Sequence, residues 1–427
     1  MATFSEWLLS MQLTNANLNK EFATQVVDQL KSAGYEALWA GGCVRDFLLG
    51  RQPDDFDVAT SAHPEQVRDV FGRRRTLAVG ASFGVIVVLG SKDAGQIEVA
   101  TFRTDGEYLD GRHPESVTFG SAKEDAQRRD FTINGMFYDP VAEQILDFVG
   151  GEDDLKRRVI RAIGCPRDRF GEDKLRMLRA IRFTSTLNFE LDEATATAVS
   201  ELASEIHAVS AERITHELKK MQRNRNRHRA ISMIHQLGLL PHILPELTSV
   251  ADDEARWTTL LQALEFLEDA SFELACGLLL SGTPSRVQKI CKRLKMSNAE
   301  NDHIAALAEH RDALDGARGF SKSRLKRLLV NPWASDLIAL TRSCKTARNE
   351  EVADIDFAEE FLRSTPAEVI DPKPLIHGGD LMNAGLQPGP EFKVVLEQIR
   401  DAQLDETIQT RDEALKLLSE VIEGLST

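Results

Sequence analysis

The sequence predicts an α+β head, built on a small mixed or antiparallel sheet with helices, followed by an all-α neck, body and tail. Two observations carry this. Up to about residue 151, strand-like and helix-like periods alternate, with glycine turns between them; beyond 152 the two-residue period fades and the 3.6-residue period persists. A third observation is scale: 427 residues, 42% of them hydrophobic, are enough for more than one packed domain. The expected division is head 1–151, neck 152–250, body 251–365 and tail 366–427, with the ligand-selecting helix in the neck and nucleic-acid binding expected of the tail.

Residues 21–33 (EFATQVVDQLKSA) carry apolar side chains at helical spacing, and Gly34 stops them. YEALWA then enters a Gly41-Gly42 turn. FDVAT (56–60) predicts a strand, HPEQVRDVF (63–71) a short helix with proline near its start, and GVIVVLG (84–90) a buried strand between glycines. QIEVATFR (96–103) alternates like a half-buried strand, and QILDFVGG (144–151) closes the head. EDKLRMLRAIRF, AERITHELKKM and RAISMIHQLGLLPHILPEL then read as successive helices. The Pro/Gly-rich stretch 363–391 joins the last helical module. No short-period repeat is evident.

No stretch approaches the ~20 apolar residues of a membrane span, and the N-terminal segment lacks the basic-then-apolar order of a secretory signal. Cysteines 43, 165, 276, 291 and 344 show neither CxxC nor Cys/His metal spacing. A reduced, cytoplasmic protein without a membrane partner is expected. The formal charge of −15 argues against indiscriminate coating of nucleic acid but leaves room for a local basic groove. The ten histidines show no paired spacing.

Asp55 and Asp57 stand one residue apart at the start of the FDVAT strand. Side chains at i and i+2 share a face, so the two carboxylates point together while Phe56 and Val58 point inward. Glu98 lies on the opposite face of its strand from Ile97, Val99 and Thr101. If the strands are neighbours, three carboxylates converge. Hard oxygen ligands on a rigid strand suit Mg²⁺, which takes further ligands from water and substrate phosphate; two such ions ~4 Å apart activate an attacking hydroxyl and stabilise leaving pyrophosphate. The plain alternative is a solvated turn. The Gly41-Gly42 turn upstream, which permits close approach of a phosphate, weighs against it.

GGCVRDFLLGRQPDDFDVAT (41–60) closely resembles the first motif of the class II tRNA nucleotidyltransferase/bacterial poly(A) polymerase family, within the polymerase-β-like nucleotidyltransferases. RRDFTINGMFYD (128–139), GEDKLRMLRAIRF (171–183), SAERITHEL (210–218) and PLIHGGDLMNAGLQPGPEF (374–392) resemble its later motifs in order. The resemblance implies that Asp55 and Asp57 hold the metals, with Glu98 as the third carboxylate, and that Gly41, Gly42 and Arg45 contact a triphosphate. Arg45 has an alternative partner in Asp46. The second motif implies ribose and triphosphate contacts from Arg128, Arg129, Asp130 and Asn134; Asp130 equally suits a helix N-cap beside Thr132. Gly135 stands where the family usually has alanine.

The third motif implies base selection by Asp173 and Arg176, with Arg179 also at the nucleotide. In a continuous helix, Asp173 and Arg176 (i, i+3) share a face while Leu175, Leu178 and Ile181 face the core, and an ordinary ion pair would look the same. Aimed at a base, the acceptor Asp and donor Arg match the amino group and ring nitrogen of cytosine or adenine and mismatch guanine and uracil. CTP and ATP are therefore the expected nucleotides.

LKKMQRNRNRHRA (218–230) gathers six Lys/Arg, so Lys219, Lys220, Arg223 and Arg225 are candidates for RNA phosphates, or simply a solvated face. The polar stretch 104–119 resembles a flexible loop that helps ATP addition; a plain surface loop is the alternative. The implied activity is CCA addition to the 3′ end of tRNA. A-addition and poly(A) synthesis share the motifs: VGASFG (79–84) resembles the tRNA-specific members, GRRR (72–75) the polymerases. An idle RNA-binding scaffold is the non-enzymatic alternative. No oligomeric state follows.

Overall fold

The computed structural model describes residues 4–80, 84–105 and 117–425. The expected loop over 104–119 lies mostly outside them. The chain forms two compact units: residues 1–221 with 229–245, and residues 222–228 with 246–427.

In the first unit, helix α1 (Phe4–Ser32) buries Phe22, Ala23, Val26, Val27 and Leu30 along one stripe. It ends where Gly34 takes a φ of +91°, in the region that favours glycine. Strand β1 (Ala37–Ala40) follows and is buried throughout, as a strand covered on both faces must be. Gly41 (φ 78°) turns the chain into α2 (Gly42–Leu48). β2 (Asp57–Thr60), α3 (Pro64–Phe71), β3 (Thr76–Gly80), β4 (Val85–Leu89) and β5 (Gln96–Thr101) come next. A hairpin, β6 (Arg103–Asp105) with β7 (Val117–Phe119), precedes α4 (Ala122–Gln127), β8 (Phe137–Asp139) and β9 (Gln144–Leu146).

Seven strands make one mixed sheet in the order β3-β4-β5-β2-β1-β8-β9. β2 and β5 run parallel; the other neighbouring pairs are antiparallel. Along one face Val58, Ile86, Val88, Ile97 and Val99 are buried. On the other, Leu38, Ala40, Ala59, Phe102 and Phe137 pack with Ala122 and Ala126 of α4. The predicted class therefore holds. One detail differs: Asp55 stands before β2 rather than within it.

The helices that complete the site belong to the same unit: α5 (Gly151–Arg157), α6 (Pro166–Glu172), α7 (Leu175–Leu187), α8 (Glu193–Leu202) and α9 (Ala211–Gln222). β10 (Val159–Ile160) and β11 (Glu190–Leu191) form a short parallel pair among them. The expected helix over 172–183 is broken. Asp173 is extended (φ −146°, ψ 107°), and its Oδ1 accepts the backbone N–H of Leu175 as α7 begins.

The second unit is helical among its described residues. Its helix Phe272–Leu280 is buried on all sides, and a Cβ on Gly277 would lie 2.8 Å from Leu307. The C-terminal helices close over Ile376, Leu381, Val395, Ile399, Ala414 and Leu418. Among the described residues no helix is long and apolar enough to cross a membrane.

Candidate active site

Gly41, Gly42, Arg45, Asp57, Arg128, Arg129, Asp130, Asn134, Asp173, Arg176 and Arg179 line a single open cavity of about 480 Å³ in the first unit. Every residue expected at the nucleotide is thus brought together from four separate stretches. Asp55, Glu98 and the basic residues 219–225 do not line it. Leu175, Arg182, Phe183 and Arg213 do, and sequence reasoning missed them. A signal existed: arginines at 176, 179 and 182 repeat at helical spacing along α7.

Seven arginines against three aspartates line the cavity, in a protein of net charge −15. Such a concentration of guanidinium suits a polyphosphate. Each cation is held by a carboxylate. Arg45 donates from Nε and Nη2 to Asp46 (2.9 and 2.7 Å) and from Nη1 to Asn134 Oδ1 (2.8 Å), so the alternative Asp46 pairing forms without removing Arg45 from the cavity. Arg128 and Arg129 share buried Asp125, at 2.7 and 2.8 Å. Burial pushes the Asp125 carboxyl up, but the charges of Arg129 and Arg128 outweigh it and hold it below its ordinary value. Gly41 admits no side chain cheaply, because its φ of 78° is one that L side chains rarely adopt; a Cβ there would also lie 3.0 Å from Arg129 Nη1.

Asp130 does not cap a helix with Thr132. Its Oδ1 accepts from the Phe131 N–H (2.8 Å) and Asn134 Nδ2 (3.0 Å), and its Oδ2 from Arg179 Nε and Nη2 (2.8 and 2.5 Å). Burial opposes ionisation, yet Arg179 with these hydrogen bonds holds Asp130 at about 2. Arg182 pairs with buried Glu217 at 2.5 Å, and its guanidinium lies 3.9 Å from the centre of the Phe183 ring, which also carries Arg45 and Arg179 at 5.1 and 5.4 Å.

Asp173 and Arg176 do not pair with each other, contrary to the i, i+3 expectation. Arg213, on α9, donates from Nη1 and Nη2 to the two oxygens of Asp173 (3.2 and 2.7 Å). Arg176 Nη1 donates to Glu172 (2.5 Å) and to the Arg169 carbonyl (2.9 Å), and its Nη2 to the Arg128 carbonyl (3.3 Å). A carboxylate accepts about four hydrogen bonds and a guanidinium donates five. Among the described residues, these contacts leave Asp173 one acceptor position and Arg176 two N–H donors.

Asp57 opens β2 and is the register partner of Glu98 on β5, so the two side chains stand together on one face. The Asp57 carboxyl is pushed up to about 6, first by burial and then by the charges of Asp55 and Glu98, against Arg129. Anionic oxygens that repel one another this way form a hard donor set suited to a divalent cation. Among the described residues no three acidic, imidazole or thiol groups enclose an ion by themselves. A cation held here therefore draws ligands from elsewhere, as Mg²⁺ does from water and nucleotide phosphate.

Of the basic run, Lys220 is exposed at the surface; partial desolvation of its amine and then the charge of Arg182 lower it, against Glu217 and Asp55. Arg223 and Arg225 are exposed. Arg227 is buried and donates to the carbonyls of Gln222, Leu264 and Leu267, and Arg229 to Asn188, Phe189 and Glu190. Two of the six cations are therefore structural. One pair of histidines also meets: His207 Nε2 and His242 Nδ1 are 3.1 Å apart, from positions too distant in sequence to suggest it.

Three family profiles match the chain: a poly(A) polymerase head domain over 37–161, an RNA- and SrmB-binding region of polymerase A over 188–250, and a tRNA nucleotidyltransferase domain 2 over 273–418. The chain is 31% identical over 412 residues to a CCA-adding enzyme of Streptococcus suis, covering 95% of this chain and 97% of that one. It is 43% identical over 237 residues to a CCA-adding enzyme of Enterococcus faecalis, 55% of each. The Bacillus stearothermophilus CCA-adding enzyme, solved with CTP, superimposes with a TM-score of 0.79 at 29% identity, over 96% of this chain and 98% of that one. The Thermotoga maritima enzyme, solved with tRNA, shares the fold at 20% identity, with a TM-score of 0.66 over 94% and 95% of the chains.

Proposed function

Because the chain belongs to the CCA-adding enzyme family, we infer that it is a tRNA nucleotidyltransferase that adds CTP and then ATP to the 3′ end of tRNA without a nucleic-acid template. The terminal ribose hydroxyl attacks the α-phosphate of each nucleotide, and pyrophosphate leaves. The observation that carries the selection step is the separate anchoring of Asp173 and Arg176 in one cavity. Asp173 keeps an acceptor position for the amino group of cytosine or adenine, and Arg176 keeps donors for the adjacent ring nitrogen. Guanine and uracil present the reverse order and leave both side chains unsatisfied, a mismatch that hydrogen-bonding sites reject strongly.

Gly41 and Gly42 let the triphosphate approach the backbone while Arg45, Arg128 and Arg129 supply forked donors to its oxygens. Asp130, ionised and fixed by Arg179, and Asn134 suit the ribose hydroxyls. Asp55 and Asp57 would hold Mg²⁺, with Glu98 as the third carboxylate beside them. When bound, the ions supply activation of the attacking hydroxyl and charge neutralisation of the pyrophosphate. Lys219, Lys220, Arg223 and Arg225 are assigned to tRNA phosphates. The division into head 1–151, neck 152–250, body 251–365 and tail 366–427 accompanies this reading. Five free thiols support a reducing, cytoplasmic setting.

The test supplies purified protein with Mg²⁺, CTP and ATP, and with tRNAs ending at the discriminator base, at C and at CC. Completion of CCA on all three, abolished by Asp57→Ala, is expected. Extension of the CC-ended tRNA alone would make it an A-adding enzyme, long adenosine tails a poly(A) polymerase, and no incorporation at all would refute the assignment.

A further inference from the structure

The order of strands separates two flanks of Asp57. On one side lie β1 and β8, from which Gly41, Gly42, Asn134 and Arg129 reach the cavity; the Arg129 guanidinium stands over Phe137 of β8. On the other side lie β5, β4 and β3, and Glu98 on β5 is turned to the same face as Asp57 without lining the cavity. In-line displacement places the attacking oxygen opposite the leaving pyrophosphate. With phosphates held on the β1–β8 flank, the attacking strand must come over β5, β4 and β3.

On that flank a row of residues runs in register with the carboxylates. Asp57, Glu98, Val87 and Leu77 are successive register partners across β2, β5, β4 and β3, so their side chains share one face. Val87 is packed beneath its neighbours, whereas Leu77 is 45% exposed at the open edge of the sheet. Immediately before β3, Arg73, Arg74 and Arg75 form one exposed 3-10 turn. Arg73 pairs with Glu65 across solvent, and Arg75 Nε reaches the Leu89 carbonyl. Three strand spacings, about 14 Å, separate Asp57 from Leu77, the length of roughly four stacked nucleotides.

Resting on the function assigned above, we propose that the row from Glu98 across Val87 to Leu77, ended by Arg73–Arg75, is the track for the single-stranded acceptor end of the tRNA. The apolar step at Leu77 supports a base or ribose, and the three arginines take phosphates beyond it. The charge complementarity is local, in a protein that is acidic overall.

Two variants test it, each checked for an unchanged melting temperature: Arg73→Gln/Arg74→Gln/Arg75→Gln, and Leu77→Glu. The expected result is a KM for CC-ended tRNA raised on the order of tenfold or more in each, with CTP affinity, measured separately by equilibrium binding, unchanged. For the triple variant the salt dependence of tRNA binding becomes shallower by about 2 in log–log slope. A KM and slope equal to wild type, or CTP affinity falling in step with tRNA affinity, overturns the track. Should Leu77→Glu fail to fold, the arginine variant decides. Wild type unable to extend any tRNA would instead sink the assigned reaction, so the two failures are distinguishable.

Discussion

Replacing Arg213 by Gln separates selection from chemistry. Arg213 supplies two of the three hydrogen bonds that fix the Asp173 carboxylate, at 3.2 and 2.7 Å; the third, from Leu175 N–H at 3.0 Å, is backbone and survives. Both side chains are only 23% and 15% exposed, so solvent screens the pair weakly. Hydrogen bonds to charged groups contribute about 1.5–3 kcal/mol each, and the longer contact lies at the weak end. Losing the fork therefore costs about 3–4.5 kcal/mol of positioning, or roughly 150- to 1,500-fold at 1.4 kcal/mol per tenfold. On the proposed role of Asp173, that cost falls on nucleotides whose amino group it would meet. Single-turnover incorporation of CTP on tRNA lacking CCA, and of ATP on CC-ended tRNA, should slow by about this factor, while misincorporation of UTP and GTP stays where it was. Arg213→Lys keeps the charge without the fork and should lose selectivity more than rate. If all four nucleotides slow together, or if discrimination is untouched, Arg213 does not position a base-reading carboxylate at Asp173.

Asp57, raised to about 6 against 3.8, binds its proton more tightly in the folded protein, so its ionisation lowers stability as pH rises through that window. Asp57→Asn should melt above wild type at about pH 7.5, with the difference vanishing toward pH 4. Added Mg²⁺ should raise the wild-type melting temperature and leave the variant unmoved. Asp130 has the opposite sign: held at about 2, it adds about 2 kcal/mol of stability above its unfolded value, lost as pH falls toward 2. Asp130→Asn should lower the urea midpoint at neutral pH, with a deficit that shrinks on acidification. Arg227→Leu leaves the carbonyls of Gln222, Leu264 and Leu267 without their donor and should cost about 3 kcal/mol or more in urea unfolding, with CTP binding unchanged. Of the five thiols only Cys165 is exposed, while Cys43 is pushed up to about 12 by burial; a thiol reagent should label one cysteine in the native protein and five after denaturation.

What was legible in the chain followed from local geometry. The two-residue period put Val58 inward and Asp57 outward, and the same rule placed Glu98 opposite Ile97 and Val99; the register of β2 on β5 then brought the two acids together. The break between α6 and α7 was missed because apolar spacing continues through it. Asp173 was the available warning, since aspartate competes with helix formation by bonding nearby N–H groups, as it does here to Leu175. Partners distant in sequence left no trace: Asp130 finds Arg179 and Asp173 finds Arg213 only after folding. Arg227 looked like its exposed neighbours because nothing local reveals that its guanidinium fills the C-terminal end of the helix Glu254–Phe266, whose last carbonyls lack donors of their own.

The missed partners change how the base would be read. An Asp173–Arg176 ion pair would have to open for every incoming nucleotide, and the opening cost would be common to all four bases. Anchored instead to Arg213 and Glu172, the two side chains hold their remaining acceptor and donors in place before a base arrives. The same construction recurs around the cavity, with Asp125 behind Arg128 and Arg129 and Glu217 behind Arg182. Each acid offsets the repulsion of crowded guanidinium groups and restricts their rotamers, so ordering is settled during folding rather than at binding. Selectivity without a template requires this rigidity. A flexible arginine would turn to satisfy guanine or uracil, whereas one tied to Glu172 and to the carbonyls of Arg169 and Arg128 has no second orientation to offer.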